Sequence, residues 1–221
     1  LENNMFTLDV NTGVSKKISS KQEGISEYEW SPDSKWLAFV QTAANTMAQI
    51  KIYNTDSGNS FDLTTDRANS ESPRWSPDGK FIYFLSDRSF TSLVGSPWGP
   101  RQPEPYFDAS EKLYHIALQK GTRSPFREAD ELNTASKENN TEDTTKKKGK
   151  KDEEDAKEKT VNVTIDQNGI KERIVEVPIK AGNYSQLEVN GKAIYLVSSD
   201  TGLNAKNHLA VLKIGNEDVA L

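Results

Sequence analysis

Tryptophan followed by a Ser-Pro-Asp turn occurs twice, as Trp30-Ser31-Pro32-Asp33 and as Trp75-Ser76-Pro77-Asp78, 45 residues apart. That spacing lies in the range of stacked supersecondary units. The register extends beyond the turn: Thr12-Gly13 matches Ser57-Gly58 and Ile18-Ser19 matches Leu63-Thr64 at the same offset. A repeated unit this short cannot bury its own apolar faces, so it must stack on copies of itself.

Each unit reads as strands separated by turn chemistry. Proline presets φ at the second turn position, aspartate bonds the local backbone, and Gly79 supplies the positive φ that follows. Ser34 stands where that glycine would be in the first copy, which predicts a different or mildly strained turn there. Phe81-Ile82-Tyr83-Phe84-Leu85 and Trp36-Leu37-Ala38-Phe39-Val40 are strands apolar on both faces, Gln49 to Tyr53 alternates, and a fourth strand falls near Ser60 to Leu63. A fainter copy starts at Tyr184, with Leu187 expected at the place of Trp30 and Trp75, and Met5 to Ile18 supplies the last two strands of a preceding unit. Two-sided burial of short antiparallel strands is achieved by packing blade on blade around an axis. The expected fold is all-β, a segment of β-propeller with four-stranded antiparallel blades, about three to three and a half of them, carrying a long charged loop insertion. A β-sandwich also uses short strands but does not require the repeat, and no Gly-His or Trp-Asp pair marks a WD-type blade.

Residues 1–221 therefore read as part of one propeller domain, and since propellers close with four to eight blades, the remaining blades are expected from outside this piece. Two stretches interrupt the third unit. Residues 89–110 are rich in proline and aromatics and read as an ordered loop on one end of the ring, with Trp98, Arg101, Tyr106 and Phe107 as the candidate peptide or partner contact; the alternative is a plug over a blade edge. Residues 124–160 read as a charged, mobile insertion: Lys146 to Lys151 is followed at once by Asp152-Glu153-Glu154-Asp155, and too few apolar side chains are present to offset ordering entropy.

The net charge of −5 without a basic face argues against nucleic acid. No apolar run approaches the roughly 18 residues of a membrane span, and no signal-peptide pattern opens the sequence. Cysteine is absent, and no His-x-x-x-His pair or phosphate-binding glycine loop occurs, so neither a metal nor a cofactor is expected. Asp9-Val10-Asn11-Thr12-Gly13 has a calcium-loop look but lacks the later bidentate glutamate and reads as a hairpin turn. Among neutral bases only His115 and His208 are available, each within a strand pattern, where a hydrogen-bonded strand histidine is the ordinary reading. Gly95-Ser96-Pro97-Trp98-Gly99 misplaces the serine of a nucleophile elbow. No catalytic residue is expected in this chain.

Trp-Ser-Pro-Asp-Gly-Lys resembles the repeat of TolB-type and tricorn-type propellers. The third unit is more telling: Gly99 to Pro105, Lys112-Leu113-Tyr114, Ser124-Pro125-Phe126, Val163 to Asp166, Gly169-Ile170, Arg173-Ile174-Val175 and Val177 to Tyr184 resemble the propeller of tricorn-like serine proteases. The resemblance implies a non-catalytic propeller that gates or steers peptides toward a protease domain and a PDZ-like module elsewhere in the parent protein. The expected partners are those domains and the peptides, with a homo-oligomer left open and a cytoplasmic setting, the periplasm being the alternative. Two other readings stay open: a TolB-like interaction scaffold and the lid propeller of a prolyl-oligopeptidase-type hydrolase.

Overall fold

The computed structural model describes residues 4–18, 24–89, 109–128, 161–202 and 204–215. The expectations for the contact loop, including Trp98, Arg101, Tyr106 and Phe107, and for most of the charged insertion lie outside these residues.

Among the described residues thirteen strands form four antiparallel sheets. β1 (Phe6–Leu8) and β2 (Ser15–Lys17) make a hairpin. Its turn is closed by Asp9, whose Oδ1 accepts from the main-chain N–H groups of Asn11 and Thr12 at 2.9 and 3.2 Å. Blade I runs β3 (Ile25–Trp30), β4 (Trp36–Thr42), β5 (Ala48–Asn54) and β6 (Ser60–Asp62) in spatial order. Blade II is β7 (Ser70–Trp75), β8 (Phe81–Ser86), β9 (Lys112–Ala117) and β10 (Ile174–Glu176), and blade III is β11 (Asn183–Val189), β12 (Ala193–Ser199) and β13 (Asn207–Lys213). The first strands pack on one another from blade to blade, β3 on β7 and β7 on β11. Convergence of first strands on a common axis is the propeller arrangement.

The Ser-Pro-Asp turn repeats bond for bond. Ser31 Oγ and Ser76 Oγ each donate to the turn aspartate at 2.6 Å and each accept from the main-chain N–H that opens the next strand, at 3.0 Å from Trp36 and 2.9 Å from Phe81. Ser34 adopts φ +59° and Gly79 φ +68°, so the serine copy keeps the geometry at the cost of a strained residue. In blade III the turn is shorter. Asn190 accepts from the N–H groups of Lys192 and Ala193, and Val189 pairs with Ile194 as Trp75 pairs with Ile82. Val189, rather than the expected Leu187, therefore holds the tryptophan position. Each blade also bulges three residues before that position, at Glu27, Ser72 and Gln186, all at positive φ between 46° and 52°.

Alternation along the central strands divides the core between neighbouring blades. Ala38, Val40, Ile50 and Ile52 of blade I pack with Trp75, Ile82, Phe84 and Ile116 of blade II. Phe81, Tyr83 and Leu85, on the other face of β8, pack with Leu187, Ile194 and Leu196 of blade III. Leu37, Phe39 and Tyr53 pack with Ile18 beside the β1–β2 hairpin. The segment that resumes at Val161 crosses the Ser-Pro-Asp turns before forming β10: Val163 N donates to Asp33 Oδ2 at 2.9 Å, and Val163 lies where a Cβ on Gly79 would come to 2.7 Å of its methyl carbon. Arg173, in a short 3-10 helix (Ile170–Arg173), then pins the segment through the carbonyls of Ala117, Leu118 and Asp166.

Candidate functional site

The innermost strands carry charged residues at one matched position, the residue before Trp30, Trp75 and Val189: Glu29, Arg74 and Glu188. Their roles differ from joint to joint. Glu29 reaches blade II, where its Oε2 accepts from Trp75 N at 2.8 Å and its main-chain carbonyl accepts from the Trp75 indole at 3.2 Å. Burial outweighs that hydrogen bond and the nearby Arg74 guanidinium, and the Glu29 carboxyl is pushed up to about 7. Arg74 reaches on to blade III and pairs with Glu188 at 3.2 Å. Glu27, in the bulge, accepts from Ser72 N in the next bulge at 2.5 Å.

A second group gathers at the blade end opposite the Ser-Pro-Asp turns. Register places Ser70, Ser86 and Lys112 side by side across blade II, so Glu71, Asp87 and Glu111 stand at the same end, where the 87–111 connection leaves the sheet. Asp87 is held by Asn69 through its main-chain N–H at 2.9 Å and its side-chain amide at 2.8 Å. Burial raises the Glu71 carboxyl, with Glu27 and Asp87 adding to it, and burial together with Asp87 and Glu71 pushes Glu111 up to about 7. Negative charge from Glu27 and Asp87 thus acts on Glu71, and from Asp87 and Glu71 on Glu111. The neighbouring cation, Arg88, feels the charge of Asp87 and is held in place by its ring and hydroxyl partners. Arg88 stacks over Phe84 and Tyr114 at 5.1 and 5.0 Å and donates to the hydroxyls of Ser86 and Ser70, both at 3.0 Å.

The structure brings His115 Nε2 within 2.7 Å of Ser124 Oγ. The sequence separated these residues by a strand end and a turn and did not pair them. The ring is fully buried among Phe81, Tyr83 and Phe126, at 5.3, 5.9 and 5.9 Å, and burial lowers it to about 4. Its Nδ1 is buried with no hydrogen-bond partner among the described residues. A general base needs an orienting group on that nitrogen and access to substrate, so the pair locks the turn after β9 onto the blade II core. This is the hydrogen-bonded strand histidine expected from the sequence. His208 sits on β13 and faces Asp200 Oδ1 at 3.0 Å on the surface. No group of three or more His, Cys, Asp or Glu placed to hold a metal ion occurs among the described residues, and no helix there is long and apolar enough to cross a membrane.

Residues 1–218 match the model of the tricorn protease second β-propeller domain. The chain belongs to the tricorn second-propeller family. Tricorn protease homolog 1 of Streptomyces coelicolor is 29% identical over 184 residues, covering 80% of this chain and 15% of that protein. The tricorn protease homolog of Saccharolobus solfataricus is 26% identical over 173 residues, covering 76% of this chain and 13% of its own length. This tricorn-type propeller thus spans a small part of the curated relatives it matches. The crystal structure of the tricorn protease superposes on 98% of the chain with a TM-score of 0.68 at 21% identity, using 20% of that structure. TolB from Acinetobacter baumannii superposes on 98% with a TM-score of 0.51 at 15% identity, using 36% of it. These two likenesses carry the propeller fold, and the blade joints above are its interior.

Proposed function

We propose that this chain is a non-catalytic portion of a peptide-steering propeller in a tricorn-like serine peptidase, whose protease and PDZ-like domains lie outside the 221 residues. The supporting observation is the gathering of Glu27, Glu71, Asp87 and Glu111 at the blade end from which the 87–111 connection leaves, with burial and mutual repulsion raising Glu71 and Glu111. A half-buried negative mouth between low-dielectric walls focuses its field on approaching cations. A peptide offers such a cation in its α-amino group and in lysine and arginine side chains. Steering of this kind acts on capture rather than on the chemical step, so it shows in kcat/KM for peptides that must thread the ring.

The contact loop assigned from the sequence, with Trp98, Arg101, Tyr106 and Phe107, belongs to the same connection and is proposed as a wall of that entrance. Deleting residues 96–107 from the parent peptidase tests the reading. Preference among peptides of different length should change, while cleavage of a minimal fluorogenic substrate should hold. Equal loss on every substrate would assign the loop to folding and refute steering.

A further inference from the structure

The two joints between blades follow one plan but differ in their acceptors. Between blades I and II, Glu27 Oε2 accepts from Ser72 N at 2.5 Å and Glu29 Oε2 from Trp75 N at 2.8 Å. Both donors belong to β7 and both acceptors to β3. One blade on, the matched donors on β11 are Gln186 N, in the bulge, and Val189 N, at the tryptophan position. Asn190 N donates to the Ala193 carbonyl as Ser76 N does to that of Phe81, each at 2.9 Å. N–H groups alternate in direction along an antiparallel ladder, so Val189 N points off its own sheet just as Trp75 N does.

Blade II supplies no carboxylate for these donors. Its residues at the places of Glu27 and Glu29 are Ser72 and Arg74, and each brings donors of its own. Ser72 sits at φ 52° in the same kind of bulge as Glu27 at 46°. It is only 9% exposed, and its hydroxyl has no hydrogen-bond partner among the described residues. Arg74 commits Nε and Nη2 to Glu188, both at 3.2 Å, and Nη1 to the Pro73 carbonyl at 2.9 Å. A guanidinium has five N–H groups, so it retains donors for a second acceptor. β7 and β11 pack on each other here with donors on both sides.

We propose that the joint of blades II and III is a carboxylate-binding site on the inner strands of the propeller. An incoming carboxylate takes the Gln186 N–H and the Ser72 hydroxyl and is paired by Arg74, with Val189 N–H as the second main-chain donor. A peptide offers that group at its C-terminus and in aspartate and glutamate side chains. The neighbouring joint shows that such donors hold carboxylates in these surroundings. Glu27 and Glu29 occupy the matched places there although Glu71 and Glu188 stand within reach of their charge. The exposed carboxylate beside the site, Glu188, is already paired by Arg74. This site attracts the charge opposite to that drawn by the acidic cluster, and it stands whether or not that cluster steers peptides.

The test is an amide NMR titration of the 15N-labelled 221-residue chain with three N-acetylated peptides. One is trialanine with a free carboxylate, one is its C-terminal amide, and one is an amidated peptide with a single internal glutamate. A carboxylate at the site should move the Gln186 and Val189 amide protons downfield to saturation, while that of Trp75, already on Glu29, stays in place. A response to the free acid assigns the C-terminus as ligand and a response to the glutamate peptide assigns the side chain; either supports the site. Ser72→Ala and Arg74→Gln should each weaken binding roughly tenfold, with the Trp75 resonance as the check that the fold is kept. The wild-type titration decides even where a variant fails to fold. An equal response to the neutral amide would overturn the proposal, since main-chain pairing with the strand edge would then explain it. So would the lack of saturable shifts at Gln186 and Val189 with both acids, or undiminished binding by both folded variants.

Discussion

Glu29 holds Trp75 across the joint between blades I and II by two hydrogen bonds, one from the main-chain N–H at 2.8 Å and one from the indole at 3.2 Å. The first ends on the carboxylate and the second on the main-chain carbonyl, so only the first depends on the side chain. Glu29→Ala leaves the Trp75 N–H half-buried without an acceptor, which costs about 1–3 kcal/mol. Glu29→Gln keeps an acceptor oxygen and removes the charge that burial opposes. Chemical denaturation at pH 8 should rank the variants Gln, wild type, Ala from most to least stable.

The same carboxyl gives a pH dependence with a defined sign. Glu29 and Glu111 are both raised from 4.5 to about 7. Between those values the folded chain holds protons that the unfolded chain has released, so their contribution to stability is present at low pH and is lost as pH rises toward 7. His115 works the other way: burial lowers it from 6.5 to about 4, so in that window the unfolded chain takes up the proton and acidification destabilises. The two effects overlap and must be separated by variants. Tm of Glu111→Gln should rise less than wild type on going from pH 7.5 to 5.5, and Tm of His115→Phe should rise more.

The paired turns make a reciprocal test of strain. Gly79 has φ +68° and an added Cβ would meet Val163 at 2.7 Å, so Gly79→Ala is opposed by backbone and packing together. A loss of roughly 1–3 kcal/mol is expected. Ser34 already sits at φ +59°, and Ser34→Gly should relieve strain and stabilise by up to roughly 1 kcal/mol. Urea midpoints measured at constant m-value decide both.

Ser76 Oγ accepts from two main-chain donors within its turn, Lys80 N at 3.1 Å and Phe81 N at 2.9 Å, and donates to Asp78 Oδ1 at 2.6 Å. Ser76→Ala should cost about 1–3 kcal/mol, because the buried N–H of Phe81 loses its acceptor. Ser76→Thr keeps the hydroxyl and should recover part of the loss.

Much of this architecture is legible in the chain because the repeat speaks twice. Trp75, Ser76, Asp78 and the two-faced strand from Phe81 place a blade, and Trp30, Ser31 and Asp33 place its neighbour at the same offset. Leu187 shows where such reading slips. Its true counterpart at the tryptophan position is Val189, two residues on, because the Asn190 turn is shorter. A shift of two preserves which face each side chain occupies, so the apolar pattern looks the same in either register. The bulges at Glu27, Ser72 and Gln186 leave no trace in composition, since none is a glycine although all have positive φ. The acidic cluster was equally hidden. Glu27, Glu71, Asp87 and Glu111 are scattered in sequence and meet only through the register of β7, β8 and β9 and the joint with β3. His115 and Ser124 likewise meet through a turn whose path no motif announces.

The central claim is that the acidic mouth captures peptides for a protease domain elsewhere in the parent protein. Its most direct test is kcat/KM of the parent peptidase carrying Glu71→Gln and Glu111→Gln together, on a long peptide with a free amino terminus, on its N-acetylated counterpart and on a minimal fluorogenic substrate, at low and moderate salt. The account predicts a several-fold fall for the free-amine peptide that shrinks as salt screens the field, a smaller fall for the acetylated one and none for the minimal substrate. Equal rates for wild type and variant on the free-amine peptide at low salt would contradict it.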